Sequence, residues 1–127
     1  MECTYADQVH LISNTTLTKQ IFKMKEFYHY TLEKNVSSIR ANGIYPNHPY
    51  YTTTEYYSPT QAGQALGVMP HNIDCVLKFI DDGQFRACST VPHTGRFTGG
   101  GNQYQHPKRL KPIAVRKISE RAWRGLV

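Results

Sequence analysis

Short apolar runs separated by turn residues predict a chain of brief elements. Phe27-Tyr28-His29-Tyr30 is an aromatic run bounded by polar residues, which predicts a strand. Thr31 then serves as a helix N-cap, and Leu32, Val36 and Ile39 recur at helical spacing. Glu33 in the first turn and Arg40 in the last suit the helix dipole, and Asn42-Gly43 supplies the stop. Ile44 to Pro49 reads as a loop holding two prolines. Tyr50 to Thr54 has the Tyr and Thr content of a strand. Ser58-Pro59 pairs a cap with proline at the first helical position, so a second helix runs to about Leu66 and ends at Gly67.

Beyond that helix the pattern becomes strand-like. Ile73 to Ile80 predicts a strand, Asp81-Asp82-Gly83 a turn, and Gln84 to Val91 the returning strand of a hairpin. Pro92 to Gly101 is a loop with four glycines. Gln103 to Gln105 opens a further strand, and Ile113 to Ile118 forms the last. Residues 1–26 read as a polar N-terminal arm, with a short helix around Leu17 to Lys25. Helices early and strands late predict an α+β fold with a mainly antiparallel sheet, residues 27–127 forming its domain. There is no internal repeat.

The 127 residues are one domain's worth, enough to bury a core without staples. No apolar run approaches membrane-span length, so no membrane partner is expected. Met1 to Gln20 lacks the basic start and apolar stretch of a secretory leader. The expected location is therefore the cytoplasm, or the cytoplasm of a target cell reached by another device. Cys3, Cys75 and Cys88 are odd in number and show no paired spacing, which argues against a disulfide framework. Cys75 and Cys88 sit among apolar residues and read as buried thiols. No CxxC or HxxxH pattern marks a structural zinc, and no metal is expected.

Charge changes the picture more. The formal net charge is +6, and residues 65–127 carry all of it, with ten basic and four acidic side chains. Residues 1–64 hold five of each. After Asp82 the only acidic residue is Glu120, against nine basic ones. Such a half attracts phosphates, whether of a nucleotide, a nucleic acid or an acidic partner, or else forms a solvated basic surface.

Three segments carry candidate chemistry: Phe27-Tyr28-His29-Tyr30-Thr31, Tyr50-Tyr51-Thr52-Thr53-Thr54, and Gly99-Gly100-Gly101-Asn102-Gln103-Tyr104. Each is weak alone. In this order, with Ser38-Ile39-x-x-x-Gly43-Ile44 between the first two, they resemble the ADP-ribosyltransferase superfamily. The likeness spans roughly Phe27 to Ile118. It is closest to the small bacterial toxin-type transferases with a His, Tyr and acidic signature. The opening is also similar to that of poly-ADP-ribose polymerases and RNA 2′-phosphotransferases.

The resemblance implies a single compact domain whose split antiparallel sheets flank a cleft for NAD, used as a substrate. His29 would hold a ribose, and Thr31 would support it or cap the next helix. Tyr30, Tyr51, Thr52 and Asn102 would join the cofactor site. The signature tyrosine stacks on nicotinamide. Both Tyr50-x-Thr52 and Tyr51-x-Thr53 fit that pattern, and Tyr50 aligns better. Since a one-residue slip turns a strand residue to the other face, only one of the two tyrosines can enter the cleft. Tyr56 or Tyr57 would supply a second wall. Loss of nicotinamide passes through an oxocarbenium-like state, which calls for negative charge beside the ribose.

Here the chain departs from the family pattern. Gln103 stands where the family carries Glu, and Asn102 precedes it. A lost electrostatic contact of that kind costs about 3–4 kcal/mol, or on the order of a hundred- to a thousandfold in rate. Three explanations remain open: a natural variant that works with Gln, a domain that binds NAD without turning it over, or an engineered Glu→Gln replacement. Alternatively Asp81, Asp82 or Glu120 reaches the site. Arg96, Lys108, Arg109 and Lys111 flank the glycine segment and suit either the NAD pyrophosphate or an RNA or DNA target. Arg116, Lys117, Arg121 and Arg124 read as a solvated or target-facing surface, and Trp123 as a packing residue.

The leading expectation is an NAD-dependent ADP-ribosyltransferase, a toxin-like effector acting on a protein or nucleic acid and releasing nicotinamide. Relatives of that type usually have an immunity or inhibitor protein. A small metal-independent ribonuclease using His29, His93 and His106 as acid and base is the alternative. A third is a non-catalytic module for NAD, ADP-ribose or RNA.

Overall fold

The computed structural model describes residues 25–120. The N-terminal arm up to residue 24, most of the helix expected at Leu17 to Lys25, and Arg121, Trp123 and Arg124 lie outside the described residues. Within them the fold is α+β. In chain order it comprises β1 (Glu26–Thr31), a 3-10 turn (Glu33–Asn35), α1 (Val36–Asn42) and α2 (Pro59–Leu66). A second 3-10 turn (Pro70–Asn72), β2 (Cys75–Ile80), β3 (Arg86–Ala87), β4 (Tyr104–Gln105) and β5 (Ala114–Lys117) follow. No described helix is long and apolar enough to cross a membrane.

β2 is the central strand of a three-stranded antiparallel sheet, between β1 and β5. β1 and β2 align from Glu26 opposite Ile80 to Thr31 opposite Cys75. β3 and β4 make a separate antiparallel pair. The segment at Tyr51 and Thr52 joins the two sheets: Thr52 exchanges both backbone hydrogen bonds with Tyr28, and Tyr51 does so with Tyr104. The strand expected over Tyr50 to Thr54 is therefore reduced to these two bridges.

Alternation along β1 explains why its aromatic run is needed on both faces. Phe27 packs in one core cluster with Val36, Ile44, Tyr51, Leu77 and Phe79. Tyr28 and Tyr30 belong to the other, with Ala62, Ile73, Val76 and Ile118. α1 covers the first face through Val36 and Ile39, and α2 the second through Ala62. His29 follows Phe27 by two residues, so it stands on the α1 side.

Three expectations are corrected. The strand after the Asp81-Asp82-Gly83 turn does not return against β2, because β1 and β5 already occupy both edges of that strand. It shortens to Arg86–Ala87 and pairs with β4, while Phe85 stacks on Phe27 at 3.8 Å. Thr31 is the last residue of β1, not a cap. The first backbone N–H of the 3-10 turn, at Glu33, is instead satisfied by the Asp74 carboxylate at 2.6 Å, from the segment leading into β2. The predicted second helix matches closely: the Ser58 hydroxyl accepts from Gln61 N–H at 3.1 Å and Gly67 closes the helix in the left-handed conformation. Cys75 is buried, and burial pushes its thiol up to about 11. Cys88, expected to be buried, is only half-buried, since it lies just past the short, exposed β3.

Candidate functional site

His29 sits where β1 passes the loop that precedes Tyr51. Its Nδ1 lies 2.8 Å from the Tyr50 carbonyl oxygen. A carbonyl can only accept, so Nδ1 carries the proton. Burial lowers the pKa of the ring from its ordinary value, against the opposing pull of that hydrogen bond. The ring is therefore neutral at neutral pH, and its Nε2 keeps a lone pair. Such an imidazole accepts a hydrogen bond from a hydroxyl.

Tyr50 and Tyr51 part at this point. Tyr50 is 41 % exposed, 5.7 Å from His29 between ring centres, and stacked on His48. Tyr51 is 2 % exposed, with its ring edge-on to Phe79 and Phe85. Their opposite orientations follow from the two-residue period of extended chain.

The glycine segment is packed rather than loose. Gly99 and Gly101 N–H groups donate to the Gln64 and Ala65 carbonyls in the last turns of α2, at 2.8 and 3.0 Å. A Cβ on Gly101 would stand 2.8 Å from the Ala65 oxygen, and one on Gly99 would stand 2.4 Å from the Pro92 oxygen. Only glycine permits this approach. The next residue is clamped as firmly. Asn102 Oδ1 accepts from the Thr52 hydroxyl at 2.5 Å and from Thr53 N–H at 2.9 Å, and Asn102 Nδ2 donates to Thr53 Oγ1. These bonds hold Gln103 beside the Tyr50–Thr52 segment. Gln103 Nε2 donates to the Ser89 carbonyl at 2.8 Å.

The result is a cleft on both sides of the His29–Tyr50 pair. One hollow, about 100 Å³ and open to solvent, is lined by His29, Tyr30, Tyr50, Thr52, Gln103 and the apolar Pro49, Leu66 and Val68. The other, about 270 Å³, is lined by His29, Thr31, Asn35, Ser38, Tyr45 and Tyr50. A third hollow shares Ser38, Gly43 and Tyr45 with the second and ends at Arg109. The mix of apolar wall and few polar groups around these adjoining hollows suits a small-molecule site.

His29, Tyr50 and Gln103 are thus brought together from three distant segments. Tyr30, Thr31, Tyr51 and Thr52 line the same cleft, although each is tied elsewhere. The Tyr30 hydroxyl donates to the Thr54 carbonyl and accepts from Tyr56 N–H, while Thr31 Oγ1 accepts from Asn35. Asn102 acts as the clamp described above and does not line the hollows. Tyr57 does not line them either: it is 45 % exposed at the start of α2, and Tyr56 packs on Tyr30. The second wall comes instead from Leu66 and Val68 at the end of α2. Sequence reasoning missed them because they look like any helix terminus. Tyr45 was missed too, although Gly43-Ile44-Tyr45 follows directly on the helix stop.

Among the described residues no carboxylate lines the two hollows beside His29. Asp82 holds His106, and the Glu120 carboxylate accepts from Thr60 N–H. His106 itself is buried, with Nε2 donating to Asp82 at 2.9 Å and Nδ1 accepting from Lys108 N–H at 3.0 Å. Both its nitrogens are engaged, and the Phe85 ring stands against it. His93 is exposed on the glycine-rich loop. Of the four cations flanking the glycine segment, Arg109 alone lines a hollow; Arg96 is turned to the Met69 sulfur. No protein-family model, no curated protein and no solved structure matches this chain.

Proposed function

We propose that the cleft binds NAD and that the chain is an NAD-dependent ADP-ribosyltransferase with glutamine at the position of the catalytic carboxylate. The observation that carries this reading is the convergence of His29, Tyr50 and Gln103, far apart in sequence, on one cleft. The lone pair on His29 Nε2 suits a ribose hydroxyl. The Tyr50 ring, with Pro49, Leu66 and Val68, suits the flat nicotinamide. Arg109, at the far end, suits a phosphate.

In this reading Gln103 orients substrate through its carbonyl oxygen but supplies no charge to the oxocarbenium-like state. The chain's own turnover is therefore slow, and an ADP-ribosyl acceptor, protein or nucleic acid, completes the reaction. The bond from Gln103 to Ser89 favours a second reading, in which the site holds NAD without cleaving it. The ribonuclease alternative is left with His29 and His93, since both nitrogens of His106 are engaged, and His93 lines neither hollow beside His29.

Nicotinamide release from NAD, measured for the natural chain and for Gln103→Glu, tests the proposal. A glutamate at 103 loses the hold on Ser89 and brings a charge into the cleft. Release is expected to rise by about a hundredfold or more. Equal, negligible release by both forms, with NAD still bound, would leave the binding-only reading. Absence of NAD binding by either would sink both.

A further inference from the structure

Beside the cleft, two segments are joined by isolated antiparallel bridges, the first of them turning at Asn47, whose φ is 63°. Ile44 pairs with Leu110, Asn47 N–H donates to the His106 carbonyl, and Tyr51 pairs with Tyr104. Ile44 and Leu110 contribute to the core. Their neighbours Tyr45, Arg109 and Lys111 therefore stand on the outer face. The first segment presents planar rings: Tyr45 is 62 % exposed, and exposed His48 stacks on Tyr50. The second presents Lys108, Arg109 and Lys111, all exposed.

Lys78, Arg116 and Lys117 each pair with a carboxylate, from Glu26, Glu55 and Glu33. Lys108, Arg109 and Lys111 have no carboxylate partner among the described residues. Neither segment, Asn42 to Tyr51 or Gln103 to Ile113, contains an Asp or Glu. The Asp82 carboxylate meets the second segment at His106, which engages it. Arg109 covers the Tyr45 ring at 4.5 Å from its centre, which holds both in place. Pro46, Pro49, Pro107 and Pro112 stiffen both segments, so little order is lost on binding.

We propose that this strip binds single-stranded nucleic acid, with bases stacked on Tyr45 and on the outer face of His48, and phosphates held by Lys108, Arg109 and Lys111. Exposed rings beside a row of cations suit unpaired bases. Duplex bases are already stacked on one another and present no faces to such rings. An acidic protein would use the cations and leave the exposed rings idle. Since the strip adjoins the His29–Tyr50 cleft, a strand on it lies within reach of whatever the cleft binds.

The test is fluorescence anisotropy with a labelled oligothymidylate of about 12 nucleotides, without NAD. Binding should weaken with salt, and replacing Lys108, Arg109 and Lys111 together by alanine should flatten the log–log salt slope by about 2. Tyr45→Ala should weaken binding by about 5- to 100-fold. The same sequence as duplex, and polyglutamate as competitor, should bind more weakly. Equal binding of duplex or polyglutamate, or an unchanged triple-alanine variant, would overturn the proposal. Because NAD is absent, that failure would leave the NAD reading untouched, and a failure of NAD binding would leave this one standing.

Discussion

Tyr50 stands in the cleft beside His29, while its neighbour Tyr51 is sealed against Phe79 and Phe85. Both fit a Tyr-x-Thr frame, so the local sequence left the choice open. It is decided by pairing with Tyr104, more than fifty residues away, and by which face of the sheet meets the Phe27 cluster. The burial of Tyr51 has a cost that can be measured. Its hydroxyl is buried with no hydrogen-bond partner among the described residues. Such an orphan destabilises a fold by about 1–3 kcal/mol. Tyr51→Phe should therefore raise stability by about 1 kcal/mol, seen as a higher urea midpoint at unchanged slope. A lower midpoint would mean that the hydroxyl has a partner after all. His29 was legible as a candidate from its strand, but not its tautomer, which depends on the Tyr50 carbonyl.

Legibility differs among elements for a physical reason. α2 was readable to its ends because its signals are local: a Ser58 cap, Pro59 at the first position and Gly67 at the stop. β3 was not, because its partner depends on which edges of β2 are free, a property of the whole sheet. The glycine segment reads as a loop from its residues, because its rigidity comes from α2, on which it packs. That packing makes a sharp prediction. Gly101→Ala would place a methyl 2.8 Å from the Ala65 oxygen and should destabilise the fold by about 1–3 kcal/mol. It should also weaken ligand binding, because Asn102 and Gln103 follow directly. Gly95→Ala, which meets nothing within 4 Å, is the control and should leave the thermal midpoint unchanged. Equal behaviour of the two variants would show that the segment is not packed on α2.

At the scale of the molecule, the charge asymmetry seen in the sequence survives in part as a basic strip beside the cleft, while Lys78, Arg116 and Lys117 are paired with Glu26, Glu55 and Glu33. The cleft itself depends on a neutral His29. Its folded pKa is depressed, so the unfolded chain takes up a proton first as pH falls. The stability this group contributes is present above about pH 6.5 and is lost below it. Ligand affinity that relies on the Nε2 lone pair fades once pH falls through the still lower folded value. The most direct measurement is calorimetric titration of NAD into this chain, its Gly95→Ala form and its His29→Ala form at neutral pH. NAD should bind the first two alike and His29→Ala about tenfold or more weakly, with all three folded. NAD binding that is absent, or indifferent to His29, would contradict the assignment of this cleft to NAD.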